Sequence, residues 1–252
     1  MGDLSQSPPA PAASAPQDVC PECGGRGWKV EPDGGAGMAV RCDCAKRELG
    51  AFYLAHAGIP ERYLRCRLEN FKPSVSADAK IRQQLARAHK QCQLYVDSFL
   101  DLEENRFRES GLILIGPPGI GKTHLAVAVL IELIERYNLR GRFVDFTSLL
   151  HQIQSTFDSG SPESKHHVLD PVIKAEVLVL DELGSQKPTD WVKDTLYLIM
   201  NTRYTERRPT LFTSNYRLEA GGAGADDPNA LASRLSPLLV SRLYEMAQPV
   251  RL

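Results

Sequence analysis

Between residues 111 and 246 the spacing of apolar positions switches repeatedly. Leu112-Ile113-Leu114-Ile115 and Val177-Leu178-Val179-Leu180 are unbroken apolar runs, as parallel strands covered on both faces require. Between them Leu125, Val129, Leu133 and Tyr137 recur at four-residue steps, which predicts a helix over 122–137. The same reading predicts strands over 142–146 and 210–214 and helices over 148–157, 191–204, 229–235 and 237–246. Asp158-Ser159-Gly160-Ser161-Pro162 breaks the pattern, and residues 219–228 read as a Gly/Ala/Asp loop. Strand–helix alternation of this kind predicts an α/β fold on a mainly parallel sheet. Upstream, residues 49–110 read as mostly helical, with turns at Gly58-Ile59-Pro60 and Lys72-Pro73.

Composition divides the chain further. Residues 1–18, rich in Pro, Ala and Ser, are expected to be a disordered tail, and 19–48 to be a cysteine-rich module. Residues 49–110 then form a helical linker or partner-binding region, and 111–252 the main α/β domain. The 252 residues carry a net charge of -1, which excludes a globally basic nucleic-acid binder but not a local basic face. Residues 41–90 hold 11 Lys and Arg against 5 Asp and Glu, enough for such a face or for a solvated helix surface. No apolar run reaches the ~18 residues of a membrane helix, and no basic segment followed by an apolar one opens the chain, so the expected setting is cytoplasmic.

In a reducing compartment paired cysteines point to metal before disulfides. Cys20-x2-Cys23 and Cys42-x-Cys44 offer four thiolates, the set for tetrahedral Zn²⁺. A segment this short cannot bury much apolar surface, so metal would supply its folding energy. A redox pair or idle thiols are the alternatives. Cys66 and Cys92 have no partner spacing and read as buried thiols. His166-His167 reads as a solvated pair rather than a ligand site.

Gly116-Pro117-Pro118-Gly119-Ile120-Gly121-Lys122-Thr123, followed by His124, fits a phosphate-binding loop between strand and helix. Glycines let successive N–H groups converge on phosphate oxygens, and the helix adds its positive end. Lys122 is expected to reach the β- and γ-phosphates of ATP, and the Thr123 hydroxyl to ligand Mg²⁺. Asp181 and Glu182 end an apolar strand where ligands bind in such sheets. Asp181 would hold Mg²⁺ through water, and Glu182 would polarise the attacking water of a hydrolysis; a solvated acidic turn is the bland alternative. Asn215, after the strand at 210–214, could hydrogen-bond that water and the γ-phosphate. Arg242 could reach the γ-phosphate in a neighbouring subunit, with Arg234 its competitor and a surface salt bridge the simpler role. Together the strand ends point to a P-loop NTPase of the AAA+ type.

GPPGIGKTHLA (116–126), VLVLDELG (177–184), RYTERRPTLFTSN (203–215) and SRLYEM (241–246) resemble the bacterial replicative helicase loaders of the DnaC/DnaI type, with IstB transposition helper ATPases as close relatives. CPECGGRGWKV…RCDC and GIPERYLRCRLENF (58–71) resemble the N-terminal part of the DnaI-like branch. The resemblance implies an ATPase that assembles as a homo-oligomer on the replicative DNA helicase and delivers it to single-stranded DNA. It implies a helical insertion at 145–175 associated with that DNA, and the roles given above for Lys122, Thr123, Asp181, Glu182, Asn215 and Arg242. Family members continue with a further strand and a second arginine sensor. Neither is read here, where the sequence stops at Pro249-Val250-Arg251-Leu252, and Arg251 is not assigned that role. An IstB-like transposition helper and a nucleotide-gated adaptor with little hydrolysis are the alternative functions. Phe146, Phe157 and Tyr216 could stack on bases but read as core.

Overall fold

The N-terminal cysteine segment closes on a hairpin. β1 (Trp28–Glu31) pairs antiparallel with β2 (Met38–Arg41), with Trp28 opposite Arg41. The chain enters β1 through a tight turn in which the Gly24 N–H donates to the Cys20 carbonyl at 2.8 Å. α1 (Asp43–Ala55) begins two residues after β2. The computed structural model describes residues 20–31, 37–73, 78–101, 103–104, 106–158, 162–186, 189–218 and 227–252. These fall into two units that divide between Glu48 and Leu49. The expected tail at 1–18 and most of the expected loop at 219–228 lie outside the described residues.

In the second unit a 3-10 turn at Glu61–Tyr63 precedes α2 (Ala79–Asp97), whose N-terminus is capped by Asp78 accepting from the Lys80 N–H at 2.7 Å. A short hairpin, β3 (Leu100–Asp101) with β4 (Arg106–Phe107), ends the region expected to be mostly helical. The alternating part follows as β5 (Gly111–Ile115), α3 (Lys122–Tyr137), β6 (Gly141–Asp145), α4 (Phe146–Asp158), α5 (Pro162–Lys174) and β7 (Val177–Asp181). It continues with α6 (Asp190–Thr205), β8 (Thr210–Ser214), α7 (Pro237–Met246) and β9 (Ala247–Arg251).

β5 to β9 form one parallel sheet in the order β6-β7-β8-β5-β9. Every residue of β5, β7 and β8 is buried, as strands with helices on both faces must be. Alternation in β5 sends Leu112 and Leu114 to the core shared with α2 and α3. Ile113 and Ile115 go to the core shared with α4, α5, α6 and α7. α2 thus shares its core with the α/β part: its Leu85, Cys92 and Val96 pack with residues of α3 and with Val250 of β9.

Three expectations are corrected. The further strand is present: β9 pairs with β5 from Gly111↔Ala247 to Ile115↔Arg251. Pro249 lies within β9, which tolerates it as an edge strand, where a missing N–H need not cost a ladder bond. The helix expected at 229–235 is only a 3-10 turn at Leu231–Ser233. Conversely, α5 fills sequence whose own pattern carries no helical assignment, only a break ending at Pro162. Pro162 is its first residue, where the absent N–H has no partner to lose. Among the described residues no helix is long and apolar enough to cross a membrane.

Candidate active site

The strand order sets β8 between the phosphate-loop strand β5 and the acidic strand β7. Their C-terminal ends therefore carry Gly116–Thr123, Thr213–Asn215 and Asp181–Glu182 side by side. The loop is rooted on both flanks. The Gly116 N–H donates to the Ser214 carbonyl at 3.3 Å, and the Leu252 N–H to the Ile115 carbonyl at 2.7 Å. Gly121, with φ +102°, is the last residue before α3. A Cβ there would also lie 2.7 Å from the Phe71 ring, so both backbone angle and space demand glycine.

Lys122 is 7% exposed, and its ammonium donates to the Pro117 carbonyl at 2.8 Å, inside the loop. Burial lowers its proton affinity, while Asp181 and Glu182 work the other way. A single carbonyl is a weak partner for a buried ammonium, and a phosphate oxygen is a stronger one. The Thr123 hydroxyl donates to Asp181, at 3.0 and 3.3 Å from its two oxygens. Asp181 is 5% exposed and also accepts from the Thr213 hydroxyl at 2.5 Å. Burial pushes its carboxyl up, and those hydrogen bonds pull it down. A hydroxyl and a carboxylate so close fit a hard divalent cation such as Mg²⁺, which Thr123 and Asp181 would hold.

Glu182 leaves β7 with φ +61°, a left-handed conformation that costs a non-glycine roughly 1–2 kcal/mol. Its N–H donates to the Thr213 hydroxyl at 3.0 Å, and its side chain is exposed to solvent. Burial first, then the charges of Asp145 and Asp181, push its carboxyl up. Asn215 is exposed and borders a cavity of about 550 Å³. That cavity spans the ends of β8, β5 and β9 and is also lined by Gly116, Pro117, Arg217 and Arg251. A larger cavity of about 1090 Å³ lies at the opposite ends of the strands, between β3–β4 and the α6–β8 turn, away from this chemistry.

Other expected residues are engaged elsewhere. Arg242 pairs with Glu245 at 3.1 Å and lies 4.1 Å over the Tyr204 ring. Tyr204 lies in the last turn of α6, and α7 leads into Ala247, which pairs with Gly111 at the start of β5. Arg242 is thus near the sheet edge opposite this chain's own phosphate loop. Arg234 is closer to the acidic pair: it donates to the Gly184 carbonyl at 2.9 Å and lies 4.0 Å over Tyr216. The His124 ring is within 3.1 Å of the Arg67 carbonyl and edge-on to Phe71. Phe146 is buried, while the side chains of Phe157 and His166 lie outside the described residues. Sequence reasoning passed over Thr213, whose hydroxyl serves both acidic residues. It also passed over Asp145, on β6, whose charge acts on both. Only the strand order reveals either.

In the N-terminal unit the sulfurs of Cys20, Cys23, Cys42 and Cys44 all lie within 4.8 Å of one another. Cys23 and Cys44 are 3.4 Å apart, Cys20 and Cys42 3.7 Å. A tetrahedral Zn²⁺ with ~2.3 Å bonds to sulfur needs edges of about 3.8 Å, so the set fits that ion. The Gly27 N–H donates to the Cys23 sulfur at 3.3 Å. That bond lowers the Cys23 thiol to about 7, while its hydrogen bond to Cys23 holds Cys44 at about 12. Four sulfurs crowded in this way can ionise together only with a cation among them.

Comparison with known proteins agrees with the geometry. Residues 70–243 match the family model described as IstB-like ATP binding protein. A crystal structure of the DnaC helicase loader superposes with a TM-score of 0.61 at 33% identity, over 77% of this chain and 99% of that one. The replicative helicase loader DnaC of Escherichia coli K12 is 27% identical over 72% of this chain and 69% of its own length. A putative ATP-binding protein of insertion sequence IS5376 from Geobacillus stearothermophilus is 32% identical over 58% of this chain and 54% of its own. Several curated relatives are matched over less than two thirds of their length. With a five-stranded parallel sheet, a phosphate loop after β5 and acidic residues after β7, the chain belongs to the IstB-like ATP binding proteins, AAA+ P-loop proteins related to the DnaC helicase loaders.

Proposed function

We propose that this chain is an ATP-hydrolysing helicase loader that binds a replicative DNA helicase and single-stranded DNA. The observation that carries the loader reading is the match to the DnaC loader over 99% of that structure. The hydrolytic part rests on the strand ends. Lys122 and the loop N–H groups bind the β- and γ-phosphates, and Thr123 and Asp181 hold Mg²⁺. The ion, when bound, neutralises charge building on the phosphate oxygens. Glu182 takes a proton from water as its oxygen attacks the γ-phosphorus. The bond to the bridging oxygen breaks, and ADP leaves with that electron pair. Asn215 orients the water, and Arg242 serves the γ-phosphate of a neighbouring copy in a homo-oligomer.

The Cys20, Cys23, Cys42 and Cys44 set holds Zn²⁺ as a structural centre in this reading. Residues 49–110 contribute to partner contact, and α4 and α5 contribute to DNA contact. A second reading, an IstB-like transposition helper, is favoured by the insertion-sequence relative. Pull-down with purified replicative helicase, in ATP and in ADP, tests the choice. The loader reading expects a complex with the helicase that ATP strengthens. No helicase complex in either nucleotide overturns it.

A further inference from the structure

β8 contributes more to the acidic end of β7 than the Asn215 that follows it. Four hydrogen bonds stitch the two strand ends together. The Thr213 hydroxyl donates to Asp181 at 2.5 Å and accepts from the Glu182 N–H at 3.0 Å. The Leu183 N–H donates to the Thr213 carbonyl at 2.8 Å, and the Ser214 hydroxyl donates to the Leu183 carbonyl at 2.8 Å. Thr213 and Ser214 are 1% and 0% exposed, so none of these bonds is exchanged readily with water.

The stitch falls where the backbone is least at ease. Glu182 is one of three described non-glycine residues with positive φ. An unfavourable conformation persists only where surroundings over-determine it. Here the bond that fixes the Glu182 N–H comes from Thr213, and that amide sets the direction in which the Glu182 side chain leaves the chain. The same hydroxyl uses its one proton on Asp181, so a single atom fixes both carboxylates relative to β8.

We infer that Thr213 is a positioning residue for hydrolysis, its hydroxyl holding Glu182 in its left-handed turn and aiming the Glu182 carboxylate at the attacking water. This rests on the hydrolytic reading of the site and deepens it. Because Asn215 directly follows β8, a shift of that strand moves the water-orienting amide and the base together.

Thr213→Val keeps the shape and removes the hydroxyl; Thr213→Ser keeps the hydroxyl. Removing the hydroxyl leaves the Glu182 N–H without its partner, at a cost of about 1–3 kcal/mol, which converts to a ~5- to 150-fold change in rate. The experiment measures single-turnover hydrolysis and ATP affinity for wild type, E182Q, T213V, T213S and the T213V/E182Q double variant. The expected result is turnover reduced about 5- to 150-fold in T213V, with ATP affinity within roughly threefold of wild type and T213S near wild type. In the E182Q background T213V should add nothing, since it acts through Glu182. T213V turnover at the wild-type level overturns the proposal. So does a parallel loss of affinity and turnover that T213S does not restore, because that is a folding effect. Wild-type turnover no higher than that of E182Q overturns the hydrolytic reading itself and the proposal with it.

Discussion

Arg203 is 0% exposed and faces only neutral oxygens among its described hydrogen-bond partners. Its guanidinium donates to the carbonyls of Val172, Ile173 and Ala175 at 3.2, 3.1 and 2.7 Å. It also donates to the Pro209 carbonyl at 2.8 Å and the Thr210 hydroxyl at 2.9 Å. Val172 and Ile173 lie in the last turn of α5, where helix carbonyls have no partners of their own. One side chain of α6 therefore caps α5 and pins it to the start of β8. Arg203→Met keeps much of the apolar stem and removes all five donors. Leaving several buried oxygens without partners costs about 1–3 kcal/mol each, so a loss of about 3–5 kcal/mol is expected, a large share of a total near 5–15 kcal/mol. At this chain length roughly 2–4 °C is lost per kcal/mol, so the melting midpoint should fall by about 10 °C. Arg203→Lys keeps the charge but cannot span five acceptors, and should fall between. Burial lowers the guanidinium to about 9, so at pH 7 it is charged folded and unfolded alike and titration does not blur the comparison. Scanning calorimetry and urea unfolding at pH 7 measure the loss. A Met variant melting within about 2 °C of wild type would refute the reasoning, since no network of this energy could then exist.

The remaining predictions concern the two candidate centres. Lys122→Ala should weaken ATP binding at least about 100-fold, or roughly 2.7 kcal/mol; equal affinity by calorimetry would remove the phosphate-loop assignment. Asp181→Asn should raise the melting point of nucleotide-free protein at pH 7 while abolishing the further rise given by Mg²⁺ and ATP. Burial raises the Asp181 carboxyl in the fold, so its contribution to stability is fully present below the unfolded value and lost as pH rises through the folded one. The advantage of the Asn variant should accordingly shrink as pH falls into the carboxyl range, and an advantage unchanged by pH would contradict the burial argument. Elemental analysis should find one zinc per chain, lost in the Cys20→Ser, Cys42→Ser double variant; metal content unchanged in that variant would remove the zinc assignment.

Much of the fold was legible because the signals were local. β5 and β7 announce themselves as unbroken apolar runs, and Gly119 and Gly121 of the phosphate loop answer to their own positive φ. β9 was hidden because Ala247-Gln248-Pro249-Val250-Arg251 buries only Ala247 and Val250, a pattern without strict alternation, and its edge position tolerates a proline. The β3–β4 hairpin has two residues per strand, too few for any period to register. Cys42 and Cys44 are separated by one residue, against two between Cys20 and Cys23. The shorter gap works because Cys42 follows β2 and Cys44 already lies in the first turn of α1, so a change of element inside the pair turns both sulfurs inward. Ser233-Arg234-Leu235 and Ser241-Arg242-Leu243 are indistinguishable as sequence. The fold separates them by sending one arginine to the Gly184 carbonyl and the other to Tyr204 near the opposite sheet edge. Arg234 therefore lies beside the acidic end of β7, and Arg242 does not. Thr213 makes the same point within one strand: its residue type is ordinary for a strand, and its consequence depends on β8 lying beside β7, a fact no window of neighbouring residues contains. What a residue requires of its own backbone can be read from sequence; what it does for a residue 32 positions away waits for the sheet.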